Sequence, residues 1–388
     1  MGSHGSHGAR LRLAHGQGRR LVYLYAGLVA VVCALLVATW PTRAAEQPGD
    51  RVGARITSVV AVPCGPNRCV QVSADVAGGT SVDLGVVAAG SQLGSAGVGT
   101  QIIVTMSPNG SVYFYQDLDR RGGLAIVAAF FAGVVILFAR MRGARALAGL
   151  VASAAVLYWY SAPAMLAGTD PVLVCCVTAA TIAILGTCVN DGVTVESMLA
   201  GVSILAALTT TYLLGSVLFP YLSLRGLGGE HAGLVQQMLG GVDLQGLLLG
   251  GTIIGALGAL DDVVITQISV VAELSHGRDR RSVIVSAMRI GRDHIGAAVN
   301  TLALAYLGAS LPLLLLFAAG GNAVGVVLSS EEVATEIART IVGSIGLILA
   351  VPFTTVLAAG FAPVAAAEGS PDPTWRYSHF ESPLVRGL

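Results

Sequence analysis

The stretch GLLLGGTIIGALGALDDVVITQISVVAE, Gly246 to Glu273, decides how the rest of the chain is read. It exceeds the roughly 20 residues that a helix needs to cross a bilayer core, and its only charges are Asp261, Asp262 and the terminal Glu273. Helical turns from Asp262 lead to Thr266, Ser269 and Glu273 in one direction and to Gly258, Gly255 and Gly251 in the other. At 100° per residue these seven fall within about an 80° sector of one helix. One half of that face is glycine, and Gly251-xxx-Gly255 lets another helix backbone approach closely. The other half is acidic or hydrogen-bonding. An Asp at the centre of a spanning helix costs roughly 2.5–3.5 kcal/mol on insertion scales, and two adjacent carboxylates repel each other. Asp261 and Asp262 therefore need a proton, a partner or water.

Two readings of this ridge compete. In the first it is a proton- or cation-responsive site on a solute path, with Asp262 central and Glu273 near the cytoplasmic mouth. In the second it is a buried ion pair that clamps helices, with Arg292 as the cation. The first weighs more, because an ionisable residue inside a membrane is a functional candidate by default.

The composition supports a lipid setting for most of the chain. Of 388 residues, 11% are charged and 54% hydrophobic, whereas soluble domains carry roughly 25% charge. Mean hydropathy is +0.75. The 22 basic residues balance 22 acidic ones, which removes any case for bulk nucleic-acid binding. Every basic residue is Arg; the absence of Lys excludes a Walker-A loop, a Schiff-base lysine and a Ser–Lys pair.

Uncharged runs place eight spans: Leu21 to Thr42, Gly122 to Ala139, Ala146 to Thr169, Pro171 to Asn190, Ser197 to Leu224, Leu244 through the two Asp to Ala272, Ile295 to Ser330, and Thr340 to Ala367. The first run is read as an uncleaved anchor. A signal peptide with Arg10, Arg12, Arg19 and Arg20 as its basic region is the alternative, but the run is longer than a signal core of roughly 7–15 residues and no clean A-x-A site follows. Arginine clusters at the N-terminus, at Arg140, Arg142 and Arg145, and at Arg278, Arg280 and Arg281 share one side of an eight-span chain, so both termini are expected in the cytoplasm. The expected organisation is a disordered N-terminus (1–20), an anchor (21–42), an extracytoplasmic β-domain (44–121), a seven-helix membrane domain (122–367) and a cytoplasmic tail (368–388).

The exported segment reads as β-structure. Val70, Val72, Ala74 and Val76 alternate with Gln71, Ser73 and Asp75, the period-2 pattern of a strand. Similar runs occur at Arg55–Val62, Val82–Val87, Gln101–Met106 and Val112–Tyr115, with turns at Gly78-Gly79 and Pro108-Asn109-Gly110. Five short strands suggest a small OB-type barrel. It lacks a basic or aromatic stripe, so a structural or partner-docking role suits it better than nucleic-acid binding. Cys64 and Cys69 flank a four-residue turn in the one exported segment, while Cys33, Cys175, Cys176 and Cys188 lie in proposed spans. The pair reads as a hairpin disulfide; a zinc site would want two more ligands nearby.

Further polar features flank the ridge. Arg292 and Asp293 open the seventh span, Asn300 shares a face with Asp293, and Tyr306 points elsewhere. Asn300 by itself reads as a helix–helix hydrogen-bond partner. Ser282–Ile290 alternates apolar and Arg residues as an interfacial helix does. Glu331, Glu332 and Glu336 read as a solvated amphipathic stretch. A weak echo links Arg145-xxx-Gly149…Tyr158…Pro163 with Arg292-xxx-Gly296…Tyr306…Pro312, as in transporters built from repeats. There is no H-E-x-x-H, nucleophile elbow or dinucleotide fingerprint. An enzyme is not expected, and neither a cofactor nor a metal is implied.

The run Gly250-Gly251-Thr252-Ile253-Ile254-Gly255-Ala256-Leu257-Gly258-Ala259-Leu260-Asp261-Asp262-Val263 resembles the signature of the YibE/F family of bacterial membrane proteins. The resemblance continues through Ala272-Glu273-Leu274, Ile290-Gly291-Arg292-Asp293, Asn300-Thr301-Leu302 and Gly343-Ser344-Ile345-Gly346, and covers roughly Arg51 to Ala358. The family pattern has one acidic residue after its Gly-Ala-Leu-Gly-Ala run, matched by Asp262; Asp261 stands where Met is usual. The resemblance implies a polytopic inner-membrane protein with an exported β-domain, and no defined activity.

The sequence thus points to an α-helical polytopic membrane protein of about eight spans with a small β-barrel-like domain, in a bacterial plasma membrane. The expected function is secondary transport or export of a small solute or ion. Asp262 and Glu273 carry the coupling, and Arg292 and Asp293 form a cytoplasmic gate. The rival is a non-catalytic accessory subunit of a cell-envelope assembly complex. The bilayer is the expected partner, with an envelope-complex component or a further copy of the chain as possible others.

Overall fold

A computed structural model describes residues 17–41, 51–64, 67–76, 79–107, 112–228, 232–239, 241–276, 278–321 and 323–361. The first 16 residues, the tail after 361 and the Pro108–Gly110 turn, on which expectations were placed, lie outside the described residues. The chain divides into two compact units, Ala44–Leu147 and the remainder.

The first unit is built on five strands: β1 (Arg51–Cys64), β2 (Asn67–Val76), β3 (Thr80–Ala88), β4 (Gln101–Met106) and β5 (Tyr113–Leu118). They form one antiparallel sheet in the order β3-β2-β1-β4-β5. Alternation puts Ile56, Val72, Ala74, Ile102 and Val104 on one buried face. The register pairs Ala54 with Val76 on one side and with Ile102 on the other, so the inward residues of three strands meet in a row. Register shifts near Ile56–Ser58 and Gln71–Ser73 add local twist, as bulges do. The sheet curls enough to bring β3 near β5. Leu93, from the turn after β3, is buried in its core. Cys64 and Cys69 sit at disulfide distance across the β1–β2 turn, with Cα atoms 5.8 Å apart.

After β5 the backbone is held by two carboxylates. Asp117 accepts from Arg120 at 2.8 Å and from the Leu118 N–H at 2.7 Å. Asp119 accepts from the Arg121 N–H at 3.0 Å and from its side chain at 3.1 Å. The Arg120 hydrogen bond does most to hold the Asp117 carboxyl below its ordinary range, and the Arg121 backbone N–H does most for Asp119. Helix α2 (Arg121–Val156) follows and is broken at Arg140, whose φ of 52° and ψ of −131° are not helical.

The second unit is helical. Its elements are α1 (Gln17–Ala38), the end of α2 with a π-turn at Leu157–Ser161, α3 (Ala162–Leu166), α4 (Pro171–Asp191), α5 (Val195–Tyr221), α6 (Ala232–Leu239), α7 (Leu244–Leu274), α8 (Arg280–Ala309), α9 (Leu311–Ala319), α10 (Val324–Ser329) and α11 (Glu331–Phe361). Helix starts follow capping chemistry: Asp170, Asp243 and Asp279 each accept a backbone N–H of the following first turn, which satisfies donors left open at a helix N-terminus. Pro312 lies just past the break between α8 and α9, where the axis bends by 55°; proline has no N–H to continue the ladder.

Helix α7 lies at the centre, packed by α4, α5, α8 and α11. Ile253, Leu260, Val264 and Val271 of α7 join Ile204 of α5 and Val342, Leu347 and Ala350 of α11 in one buried cluster. Two close approaches need glycine. A Cβ on Gly250 would collide with Cys175 of α4, and one on Gly291 of α8 would sit 2.5 Å from Val351 Cγ1 of α11. Helix α1 enters the unit through buried Leu21 and Tyr25, the latter lying over Gly201 of α5.

Among the described residues six helices are long and apolar enough to cross a membrane, or seven with α8 and α9 counted as one bent span. Two boundaries differ from the sequence reading. Ser282–Ile290 is not a separate interfacial helix but the opening of α8, where Val283 and Ala287 are buried; its alternation is the buried stripe of a packed helix. Glu331, Glu332 and Glu336 belong to α11, and none of them is exposed.

Candidate functional site on helix α7

Gln267 of α7, 3% exposed, fixes how this region is assembled. Its Nε2 donates to the Ala287 carbonyl of α8 at 3.0 Å and to Thr355 Oγ1 of α11 at 2.7 Å. Thr355 in turn donates to the Val351 carbonyl at 2.7 Å. One amide thereby ties three helices in an apolar interior, where an unpaired polar group costs heavily. Gln267 points away from Asp262, since five residues at 100° each turn it well round the helix.

The opposite side of α7 is the predicted ridge, and the bundle leaves it open. Gly251, Gly255, Gly258, Asp262, Ser269 and Glu273 are all exposed; Thr266 and the neighbouring Asp261 are half-buried. Ser269 spends its hydroxyl on the Ile265 carbonyl at 3.0 Å. Within this chain the close helix approach uses Gly250 against α4 instead of the ridge glycines, and nothing lies within 4 Å of a Cβ placed on Gly258. The ridge is therefore a surface of the single chain, polar at one end and smooth at the other.

Two side chains border its glycine end. Tyr306, expected to point elsewhere, puts its hydroxyl 2.6 Å from where a Gly255 Cβ would be. Any side chain at 255 would displace that ring, so the glycine is what admits it. Arg339 of α11 reaches to 3.9 Å from the corresponding point on Gly251 and pairs with Glu336 at 2.9 Å. Beyond this pair a cavity of about 310 Å³ opens, lined by Leu247, Leu248 and Thr335 among others. Arg339 escaped the sequence reading because it closes a charged stretch just ahead of the counted span, and Glu336, read as solvated, is instead its partner. Gln267 escaped because it carries no charge and lies off the ridge. In both cases the available signal was a polar residue one turn from an apolar run.

On α8, Arg292, Asp293 and Asn300 are exposed. No ion pair joins Arg292 to Asp262 among the described residues; the pairs there are Arg120–Asp117, Arg121–Asp119 and Arg339–Glu336. No group of three or more His, Cys, Asp or Glu able to hold a metal occurs among the described residues.

Long apolar helices around a central helix with one open acidic face, joined to a small curled sheet, define the kind of protein this is. Residues 127–363, more than half of the chain, match the YibE/F-like protein family. The chain belongs to the YibE/F family. The match begins within α2, so the sheet, which the sequence resemblance includes from Arg51, lies outside it. No curated protein and no solved structure matches the chain.

Proposed function

We propose that this chain is an integral protein of the bacterial plasma membrane that moves a small solute or ion by secondary transport, with the α7 ridge lining the path. Asp262 and Glu273 take up the coupling proton or cation, and Arg292 and Asp293, twelve and thirteen residues into α8, gate the path at the depth of Asp262. The observation that carries the reading is the exposed ridge itself. Asp262 stands twelve residues from the end of α7, about 18 Å along the axis, and a bilayer core is about 30 Å thick. A carboxylate at that depth is costly unless water or protein faces it.

Eight spans suit the helices. The stretch Arg121–Leu166 holds 46 residues, about 69 Å of helix, more than twice a bilayer core, and it breaks at Arg140 beside the cluster of Arg142 and Arg145. Two spans with a cytoplasmic turn between them account for both features. Both termini are then cytoplasmic and the sheet is exported, where a Cys64–Cys69 disulfide would persist. We read the curled sheet as an OB-type barrel, its strand order and the approach of β3 to β5 being those of that fold. The packing of α1 through Leu21 and Tyr25 favours an anchor that stays with the bundle.

The test is proton movement into proteoliposomes loaded with a pH-sensitive dye and challenged with pooled small solutes. Solute-dependent proton entry that Asp262→Asn abolishes, with insertion and melting unchanged, supports the reading. Equal entry by wild type and variant overturns the role of Asp262.

One observation favours the accessory-subunit reading. Val60 and Val86 flank Gln71 across three strands and are 56% and 55% exposed, two exposed apolar side chains suited to contact with a partner. Deletion of Glu46–Ser111 with function retained would argue against docking through the sheet.

A further inference from the structure

We propose that a second copy of this chain covers the open side of α7 and α8, setting Arg292 of each copy against Asp262 of the other. The inference shares with the transport reading the placement of these helices in the bilayer and the residues Asp262 and Arg292, and it holds whether or not anything is transported.

Two faces are left open in the single chain. Helix α7 shows Gly251, Gly255, Gly258 and Asp262, and α8 shows Arg289, Arg292, Asp293, Gly296 and Asn300. Acyl chains are a poor neighbour for Asp262, Arg292 and Asp293 alike. Arg292 is exposed, and no ion pair joins it to Asp262 of its own chain among the described residues.

The internal register supplies the match. The Gln267–Ala287 hydrogen bond pins the antiparallel helices at one level. Five residues back along α7 from Gln267 stands Asp262, and five residues on along α8 from Ala287 stands Arg292. At equal rise per residue both lie at one depth. Further out from the same bond, Asn300 stands thirteen residues along α8 and Gly255 twelve residues back along α7, about 1.5 Å apart in depth. Two copies related by a two-fold axis along the membrane normal keep their depths, so an acid meets a guanidinium and an amide meets glycine. The surface is self-complementary, as an isologous interface requires, and the small residues let the backbones close enough for a charge-assisted bond. A foreign partner would have to reproduce both the charge and the depth that this chain already carries.

The experiment uses the full chain with Cys33, Cys175, Cys176 and Cys188 replaced by Ser. Two differently tagged forms, one Asp262→Cys and one Arg292→Cys, are expressed together and oxidised in isolated membranes. The expected result is a disulfide-linked species at twice the chain mass carrying both tags, absent when Leu315→Cys replaces Arg292→Cys. Linkage only within a single chain carrying both substitutions overturns the proposal, as does a monomer by native mass spectrometry of the unsubstituted chain in mild detergent. Should either substitution prevent insertion, the charge swap decides. Asp262→Arg and Arg292→Asp each lose the dimer, and the two together restore it; a dimer indifferent to all three overturns the pairing. Resistance to alkaline carbonate extraction is read in parallel. An extractable chain removes the membrane placement itself, whereas an integral monomer removes only the second copy.

Discussion

The Gln267 amide lies 2.7 Å from Thr355 Oγ1, so α7 and α11 are joined by a hydrogen bond with no solvent beside it. Gln267→Leu leaves the Ala287 carbonyl without this donor. Hydrogen bonds between helices in membranes are worth about 0.6 kcal/mol on average and up to about 1–2, and Gln267 makes two such contacts. A loss of about 1–2 kcal/mol is expected, read as a lower melting temperature in detergent. A cycle with Thr355→Val should return a coupling near 0.6 kcal/mol.

The two glycine faces of α7 separate packing from exposure. Gly250→Ala pushes a methyl into Cys175, and overpacking of this kind costs about 1–3 kcal/mol. Gly258→Ala meets nothing within 4 Å and should leave the melting temperature of the monomer unchanged or raise it slightly, since Ala is the better helix former. Equal losses at the two positions would show that the ridge is packed within the chain.

The junction between sheet and α2 should be sensitive to acid. Asp117 and Asp119 titrate below the ordinary carboxylate range in the folded chain. Their contribution is therefore present above the unfolded pKa of about 3.9 and is lost as pH falls through the lower folded values. Cleavage of the β-unit by an acid-active protease should accelerate over that window in the full chain. The double variant Asp117→Asn, Asp119→Asn should remove the pH-dependent part of that acceleration.

The Cys64–Cys69 link closes a loop with a sequence separation of 5, for which the chain-entropy relation gives about 2 kcal/mol. Maleimide labelling of the unfolded, unreduced protein should modify only the four cysteines outside the sheet. Reduction should lower protection of β1 and β2 amides from exchange while leaving the helical unit as it was.

The five strands were readable because alternation has a period of two whatever lies next to it, and Val72 and Ala74 turned out buried as their spacing implies. Helix boundaries were less readable, since a run of charge does not mark where packing ends a helix. Arg280 to Ile290 and Glu331 to Arg339 carry charge yet continue α8 and α11, because buried Val283, Ala287, Val333 and Ala338 hold one side of each helix. Tyr306 is a similar case: helical spacing gives the direction of a Cβ and not where a long side chain lands.

By itself the sequence determined that seven residues of α7 share one face, and that its helices are long and apolar enough to cross a membrane, because helical pitch and transfer free energy are local properties. Only the tertiary structure decided which way that face turns. The buried side went to Gln267, Gly250 and the leucines, and the acidic side was left open, because each neighbouring helix takes the face that buries most apolar surface, a choice made among chain segments distant in sequence.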